Sequence, residues 1–120
     1  MPIPFYIINM QGCEDRWETT LKRLTSLHLN AERFEATIGK SLSEKETLKW
    51  YCPKKNKKRY NRNLSAGEIG CYVSHMRLWQ KMVNENMPFC VVLEDDLFIE
   101  ASLKDVVDAA IKLKNWDLIK

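Results

Sequence analysis

The chain has 120 residues, of which 45% are hydrophobic and 29% charged, a composition typical of one soluble globular domain with a modest core. The net charge of +3 is unevenly distributed, because six cations fall within residues 54–62 and the rest of the chain carries −3. This excludes a uniformly basic nucleic-acid-binding protein. The six cations are Lys54, Lys55, Lys57, Lys58, Arg59 and Arg62.

The four cysteines show neither a C-x-x-C pair nor metal-knuckle spacing, so we interpret them as free thiols. Free thiols favour a reducing compartment. The first residues lack the basic region and cleavage site of a signal peptide, and no segment has the length of a membrane span. We therefore expect a cytoplasmic protein.

The first predicted unit is a strand, a turn and a helix. Residues 5–8 are apolar on both faces, which predicts a central strand. Asn9 follows it in a polar turn, and residues 14–29 have a helical apolar stripe with Arg16 in the first turn. This order is typical of nucleotide-binding α/β proteins, although the dinucleotide fingerprint G-x-G-x-x-G is absent.

A second strand is predicted at residues 33–38, and Ser43 with Glu46 forms a capping box that begins a helix. Residues 54–63 are predicted to form a basic, exposed, mobile loop. Such a loop is either simply solvated or attracted to phosphate on a nucleotide or an anionic membrane. With one aromatic residue among six cations, it does not favour nucleic-acid binding.

The clearest helix start is Ser65, which forms a capping box with Glu68. Glu68, Cys71 and His75 line one margin of this helix. A zinc site needs more ligands than this face offers, so we do not expect one. From this margin, Glu68 and His75 can reach a cleft. Alternatively, Glu68 serves only as a helix cap and His75 is a hydrogen-bonded histidine at the edge of the core. The apolar face predicted to pack on the sheet comprises Ile69, Tyr72, Val73, Met76, Trp79 and Val83.

The next strand, from Val91, ends in three consecutive carboxylates at residues 94–96. They are compatible with a solvated strand exit or with a divalent metal, which takes carboxylate oxygens. A helix after Ser102 and a further strand at residues 116–120 complete the pattern. The order predicts an α/β fold with a mostly parallel sheet and helices on both faces. Asn9, Arg16 and the acids then belong at the ligand-binding edge of the sheet.

Residues 64–75, Leu-Ser-Ala-Gly-Glu-Ile-Gly-Cys-Tyr-Val-Ser-His, resemble the L-[ST]-x-G-E-[IV]-G-C-x-x-S-H block of glycosyltransferase family 25. Leu78-Trp79 and residues 92–96 continue the likeness at matching spacing, and residues 6–9, 15–16 and 23–24 resemble the family's opening motifs. The family includes bacterial lipooligosaccharide galactosyltransferases and, more distantly, collagen galactosyltransferases. The resemblance covers nearly the whole chain.

The resemblance implies a GT-A-like nucleotide-binding fold. It also implies an inverting, metal-dependent reaction that transfers a sugar, expected to be galactose, from a UDP-sugar to a lipooligosaccharide or lipopolysaccharide acceptor. Asn9 and Arg16 match positions beside the nucleotide. Glu94, Asp95 and Asp96 match the D-x-D-type element that would hold Mn²⁺ or Mg²⁺, with Asp96 the foremost ligand. Glu68 and His75 would face the donor sugar or order the acidic loop.

The sequence departs from the family in length, because family members continue past residue 116. We therefore expect a donor-binding domain that is truncated relative to the family, and we assign no general base within residues 1–120. The alternative function is a catalytically silent module that binds nucleotide or a partner chain. An exposed sheet edge would favour a homo-oligomer, and residues 54–62 could contact the inner membrane peripherally.

Overall fold

A computed structural model of the chain describes residues 3–120 and contains a three-stranded parallel sheet. The strands are β1 (Phe5–Asn9), β2 (Glu32–Glu35) and β3 (Val91–Glu94), in the spatial order β2-β1-β3. All five residues of β1 are buried, as expected for an apolar strand between two neighbours. The predicted α/β class and the central position of the first strand are confirmed.

The helices cover both faces of the sheet, as predicted. Phe5 and Ile7 of β1 face one cluster that includes Leu24, whereas Tyr6 and Ile8 face another that includes Leu78. This division follows from the alternation of side chains along a strand. The helices are α1 (Glu14–Ser26), α2 (Glu44–Trp50), α3 (Pro53–Arg59), α4 (Ala66–Asn84) and α5 (Leu103–Ala110), with a 3₁₀ turn at Gly39–Ser41.

The predicted helix starts are confirmed in detail at α2 and α4. Ser43 accepts a hydrogen bond from the Glu46 backbone, and Ser65 and Glu68 form both bonds of a capping box. Ser102 precedes α5 as predicted, but its side chain makes no capping bond. Local capping therefore determines where α2 and α4 begin.

The packed face of α4 differs from the prediction. Its buried residues are Ile69, Gly70, Val73, Ser74 and Leu78. A Cβ on Gly70 would lie 2.6 Å from the Thr37 carbonyl oxygen, so the helix backbone directly contacts the segment after β2. The prediction was correct for Ile69 and Val73. It was wrong for Tyr72, Trp79 and Val83, which are exposed, because the close approach of two backbones places small residues on the packed face.

The basic segment is exposed but is not a loop throughout, because residues 53–59 form α3. Pro53 occupies the first turn, where its missing N–H costs nothing, and lysine is a good helix former. The Tyr60 N–H closes the helix on the Asn56 carbonyl. The prediction of a loop was correct only for residues 60–63, which have no regular structure.

Residues 116–120 do not form the predicted strand. Trp116 stacks on Phe89 with ring centroids 5.5 Å apart, and its indole N–H donates to the carbonyls of Ala110 and Leu113. These contacts fold the segment back against the end of α5. Trp116 is half-buried by these contacts, whereas Leu118 and Ile119 are exposed and pair with none of the three described strands.

Two further expectations concern the cysteines and the membrane. All four cysteines, Cys13, Cys52, Cys71 and Cys90, are free thiols, as predicted. Across residues 3–120, no helix combines the length and the apolar character needed to cross a bilayer.

Candidate functional site

The carboxyl ends of β1 and β3 meet at a polar network centred on Asn9. β1 pairs with β3 in a register that sets Ile8 opposite Glu94, so the next residues, Asn9 and Asp95, follow side by side. The Asn9 amide donates to an Asp95 carboxylate oxygen at 2.7 Å and to the Cys13 carbonyl at 2.9 Å. Asn9 is only 1% exposed, so both bonds form away from solvent.

Three further side chains surround Asp95 and Asn9. The Arg16 guanidinium lies 3.8 Å from an Asp95 oxygen and is 63% exposed. The Thr20 hydroxyl donates to the Asp95 carbonyl, and Arg33 Nε donates to Asn9 Oδ1 at 2.8 Å. Asn9, Arg16 and an acid of residues 94–96 are thus brought together at the edge where the sequence placed them.

Sequence reasoning missed Thr20 and Arg33. Thr20 looks like an ordinary helix residue, and Arg33 reads as part of an alternating strand. The register between β1 and β2, which sets Asn9 opposite Glu35 and Ile7 opposite Arg33, is a tertiary property that no local pattern contains. Only the paired sheet shows that Arg33 reaches the Asn9 amide.

The second group of polar residues lies on the opposite side of β3, where Glu94 meets α4. The Cys71 thiol donates to Glu94 Oε1 at 3.7 Å, and Cys71 Sγ lies 3.9 Å from His75 Nδ1. One ligand atom from each residue falls within a span of 4.8 Å. Burial raises the pKa of the Cys71 thiol, and the neighbouring Glu94 and Asp96 carboxylates raise that pKa further.

The three consecutive acids therefore diverge. Glu94 faces α4, Asp95 faces α1 and Asn9, and Asp96 is exposed beyond the strand. In the part of the chain that the structure describes, the one group of three potential ligands with converging atoms is Cys71, His75 and Glu94. The structure does not gather the oxygens of Glu94, Asp95 and Asp96 into such a group.

Glu68 belongs to neither polar group. Its carboxylate accepts two hydrogen bonds from the Arg62 guanidinium, at 2.7 and 3.1 Å, and one from the Ser65 backbone. The Arg62 hydrogen bond, followed by the bonds from Ser65, lowers the pKa of Glu68 from 4.5 to about 2. Glu68 thus caps α4 and ties it to the end of the basic segment.

The arrangement defines a class of protein. Polar side chains collect beyond the carboxyl ends of two parallel strands, which is where open α/β sheets bind their ligands. The family model of glycosyltransferase family 25, described as an LPS biosynthesis protein, matches residues 2–119. The chain belongs to glycosyltransferase family 25.

Curated relatives agree with this assignment. The chain is 34% identical over 121 residues to a glycosyltransferase 25 family member of Anopheles gambiae and 33% identical to one of Aedes aegypti. It is 30% identical over 122 residues to procollagen galactosyltransferase 1-B of Xenopus laevis. Each alignment covers 95% of this chain and 20% of the relative, so the chain spans about a fifth of the relatives' length.

Proposed function

We propose that this chain binds the sugar nucleotide of a metal-dependent glycosyltransferase reaction in which galactose passes from a UDP-sugar to a glycan acceptor. The observation that carries the proposal is the hydrogen bond between Asn9 and Asp95, which joins the ends of β1 and β3 into one polar edge. Family membership supports the reaction class, and the galactosyltransferase names of relatives support the sugar.

The residues at this edge suit a nucleoside diphosphate and a hard divalent cation. Arg16 is exposed beside Asp95, and a guanidinium pairs well with phosphate oxygens. Asp96 is exposed at the end of the strand, and a carboxylate is the ligand type that Mn²⁺ and Mg²⁺ prefer. Such an ion commonly uses one or two protein carboxylates together with substrate phosphates, so Asp96 with Asp95 suffices, and Glu94 is the least suited of the three acids.

Each residue then has a defined task. Arg16 would orient the diphosphate, and Asn9 would hold Asp95 at the edge by its 2.7 Å bond. His75 would help to order the acidic turn indirectly, because it contacts Cys71, which in turn contacts Glu94 at the end of β3. A bound divalent ion would neutralise the negative charge that develops on the departing UDP.

The acceptor we propose is a lipooligosaccharide or lipopolysaccharide glycan, since the family description names LPS biosynthesis. An acceptor hydroxyl would attack the anomeric carbon with inversion of configuration. The cations of α3 are exposed and would attract an anionic membrane surface that carries such an acceptor. Donor hydrolysis and transfer should both be measured, because the hydrolysis reaction needs no acceptor.

The proposal is tested by thermal denaturation with UDP and Mn²⁺. Ligands that bind only the folded state stabilise it by about 2.7 kcal/mol at one hundred times their dissociation constant. We expect UDP with Mn²⁺ to raise the melting temperature by several degrees, and Asp96→Asn to lose most of that rise. Asp117→Asn, an exposed acid outside the site, is the matched control. An equal rise in both variants would refute the role of Asp96, and no rise in the wild type would refute the donor site.

The second candidate is a module that binds nucleotide or a partner chain without transferring sugar. It is favoured by the engagement of Asp95 with Asn9 and of Glu94 with Cys71, which leaves neither carboxylate available as a base for an acceptor hydroxyl. UDP binding without release of UDP from UDP-galactose, across lipooligosaccharide and procollagen acceptors, would select this candidate. Turnover that disappears in Asp96→Asn would reject it.

A further inference from the structure

The cluster of Cys71, His75 and Glu94 joins two elements that are distant in sequence. Cys71 and His75 are four residues apart on α4 and so share a face of that helix. Glu94 reaches them from β3, where it lies on the same side of the strand as Val92, which packs in the cluster containing Leu78 of α4. The helix supplies only two ligands, and the strand adds the third.

The spacing of the cluster fits one small cation. A tetrahedral zinc centre with bonds of about 2.0–2.3 Å sets neighbouring ligand atoms about 3.6 Å apart. Cys71 Sγ lies 3.7 Å from Glu94 Oε1, and all three ligand atoms lie within 4.8 Å of one another. Cys71 is exposed, while His75 and Glu94 are half-buried, so small rotations of accessible side chains can close the remaining distance.

The backbone selects the tautomer of the histidine. His75 Nδ1 lies 2.9 Å from the Cys71 carbonyl oxygen, which can only accept, so Nδ1 carries the proton and donates. This leaves the lone pair on Nε2, so a rotation of the half-buried imidazole must bring that nitrogen toward Cys71 Sγ and Glu94 Oε1. A metal-binding histidine commonly has its second ring nitrogen held by a backbone carbonyl in this way.

We propose that Cys71, His75 and Glu94 form a binding site for a borderline divalent cation of the Zn²⁺ type, separate from the donor-bound ion. Thiolate and imidazole ligands select zinc over Mg²⁺ and Mn²⁺, which prefer oxygen. Three protein ligands leave a fourth position for water. The bound ion ties α4 to β3 immediately before Asp95 and Asp96, and so fixes the start of the acidic turn.

Cobalt titration tests the site, because Co²⁺ bound to a thiolate gives a charge-transfer absorption band that zinc then removes. In the reduced, tag-free chain we expect one equivalent of Co²⁺ to saturate the band and Zn²⁺ to displace it. Cys71→Ser and His75→Asn should each weaken Co²⁺ binding at least tenfold. Cys52→Ser and His28→Asn are the matched controls, because Cys52 and His28 are exposed residues outside the cluster, and both should bind as the wild type does.

A measurement on the wild-type chain guards against misfolded variants. Zn²⁺ should slow alkylation of Cys71 by iodoacetamide at least tenfold and leave the alkylation rate of Cys52 unchanged, as followed by mass spectrometry of peptides. Mg²⁺ or Mn²⁺ at the same concentration should protect neither thiol. The absence of a cobalt band, equal binding by Cys71→Ser and Cys52→Ser, or equal protection of both thiols would each overturn the proposal.

Discussion

Replacing Asn9 with alanine should be among the most destabilising single changes in this chain. The side chain is 1% exposed and makes three hydrogen bonds, to Asp95 at 2.7 Å, to the Cys13 carbonyl at 2.9 Å and from Arg33 at 2.8 Å. A hydrogen bond to a charged group contributes about 1.5–3 kcal/mol, and a neutral one about 1 kcal/mol. Because the Arg33 guanidinium can bond to water instead, we count only the bonds to Asp95 and Cys13 and expect a loss of about 2.5–4 kcal/mol, a large share of the stability of a small domain.

The measurement is urea denaturation followed by circular dichroism, in a double-mutant cycle of Asn9→Ala and Asp95→Ala. The two side chains touch, so we expect a coupling energy of about 1.5–3 kcal/mol. Asn30→Ala, at an exposed position, is the matched control and should change stability by no more than about 0.5 kcal/mol. Equal effects of Asn9→Ala and Asn30→Ala, or a coupling energy near zero, would refute the assignment of Asn9 as the link between the strand ends.

Three other predictions concern α4 and the basic helix. The pKa of Glu68 is lowered from 4.5 to about 2, so the ionised carboxylate stabilises the folded state fully above pH 4.5, and this stabilisation is lost as the pH falls to about 2. The melting temperatures of the wild type and of Glu68→Gln should therefore converge between pH 4.5 and about pH 2. A difference that does not depend on pH would contradict this. Gly70→Ala should cost about 2–3 kcal/mol because its Cβ would meet backbone atoms at 2.6 and 2.7 Å, whereas Gly67→Ala, whose nearest contact is at 3.9 Å, should be neutral or slightly stabilising in urea denaturation; similar effects of both changes would show that α4 can move. Neutralising the four lysines of α3 should abolish co-sedimentation with anionic vesicles at low salt, and unchanged binding would remove α3 from any membrane contact.

Much of the fold could be predicted because its signals are local. The apolar run of β1 determines its place between β2 and β3, and the Ser65–Glu68 capping box determines where α4 begins. Parallel pairing then follows from the alternation of strands and helices. These features depend on neighbouring residues or on simple connectivity, so the sequence contains them directly.

The features that could not be predicted depend on contacts between distant segments. Gly70 lies against the segment after β2, so the packed face of α4 is the one on which the helix can approach another backbone closely. The apolar periodicity of the sequence predicts a partly different face. Trp116 similarly binds back onto Phe89 and the end of α5, although its flanking sequence resembles a strand. A basic segment can be helix or loop, since lysine is compatible with both.

The candidate site was predictable to the extent that topology determined it. Parallel strands have their carboxyl ends at one edge of a sheet, so the predicted topology alone brings Asn9, Arg16 and the acids of residues 94–96 to that edge. The structure shows Asn9 and Arg16 in contact with Asp95 there. The sequence argues against zinc because the face of α4 offers too few ligands. In the zinc site that we propose, Glu94 supplies the third ligand, and its position beside Cys71 depends on how β3 packs against α4.

The alternation of side chains along β3 gives consecutive acids different surroundings. Glu94 faces a thiol and an imidazole, whereas Asp95 faces the Asn9 amide and the Arg16 guanidinium. Under the two proposals, the donor-bound ion would use Asp96 with Asp95 and the borderline ion would use Glu94, so the two ions would not compete for the same carboxylate. Asp96 is exposed, while its two predecessors are held by contacts on opposite faces of the sheet. The acidic run therefore acts as a junction between the α1 and α4 sides of the sheet, and Glu94 and Asp96 should affect different metals when each is replaced.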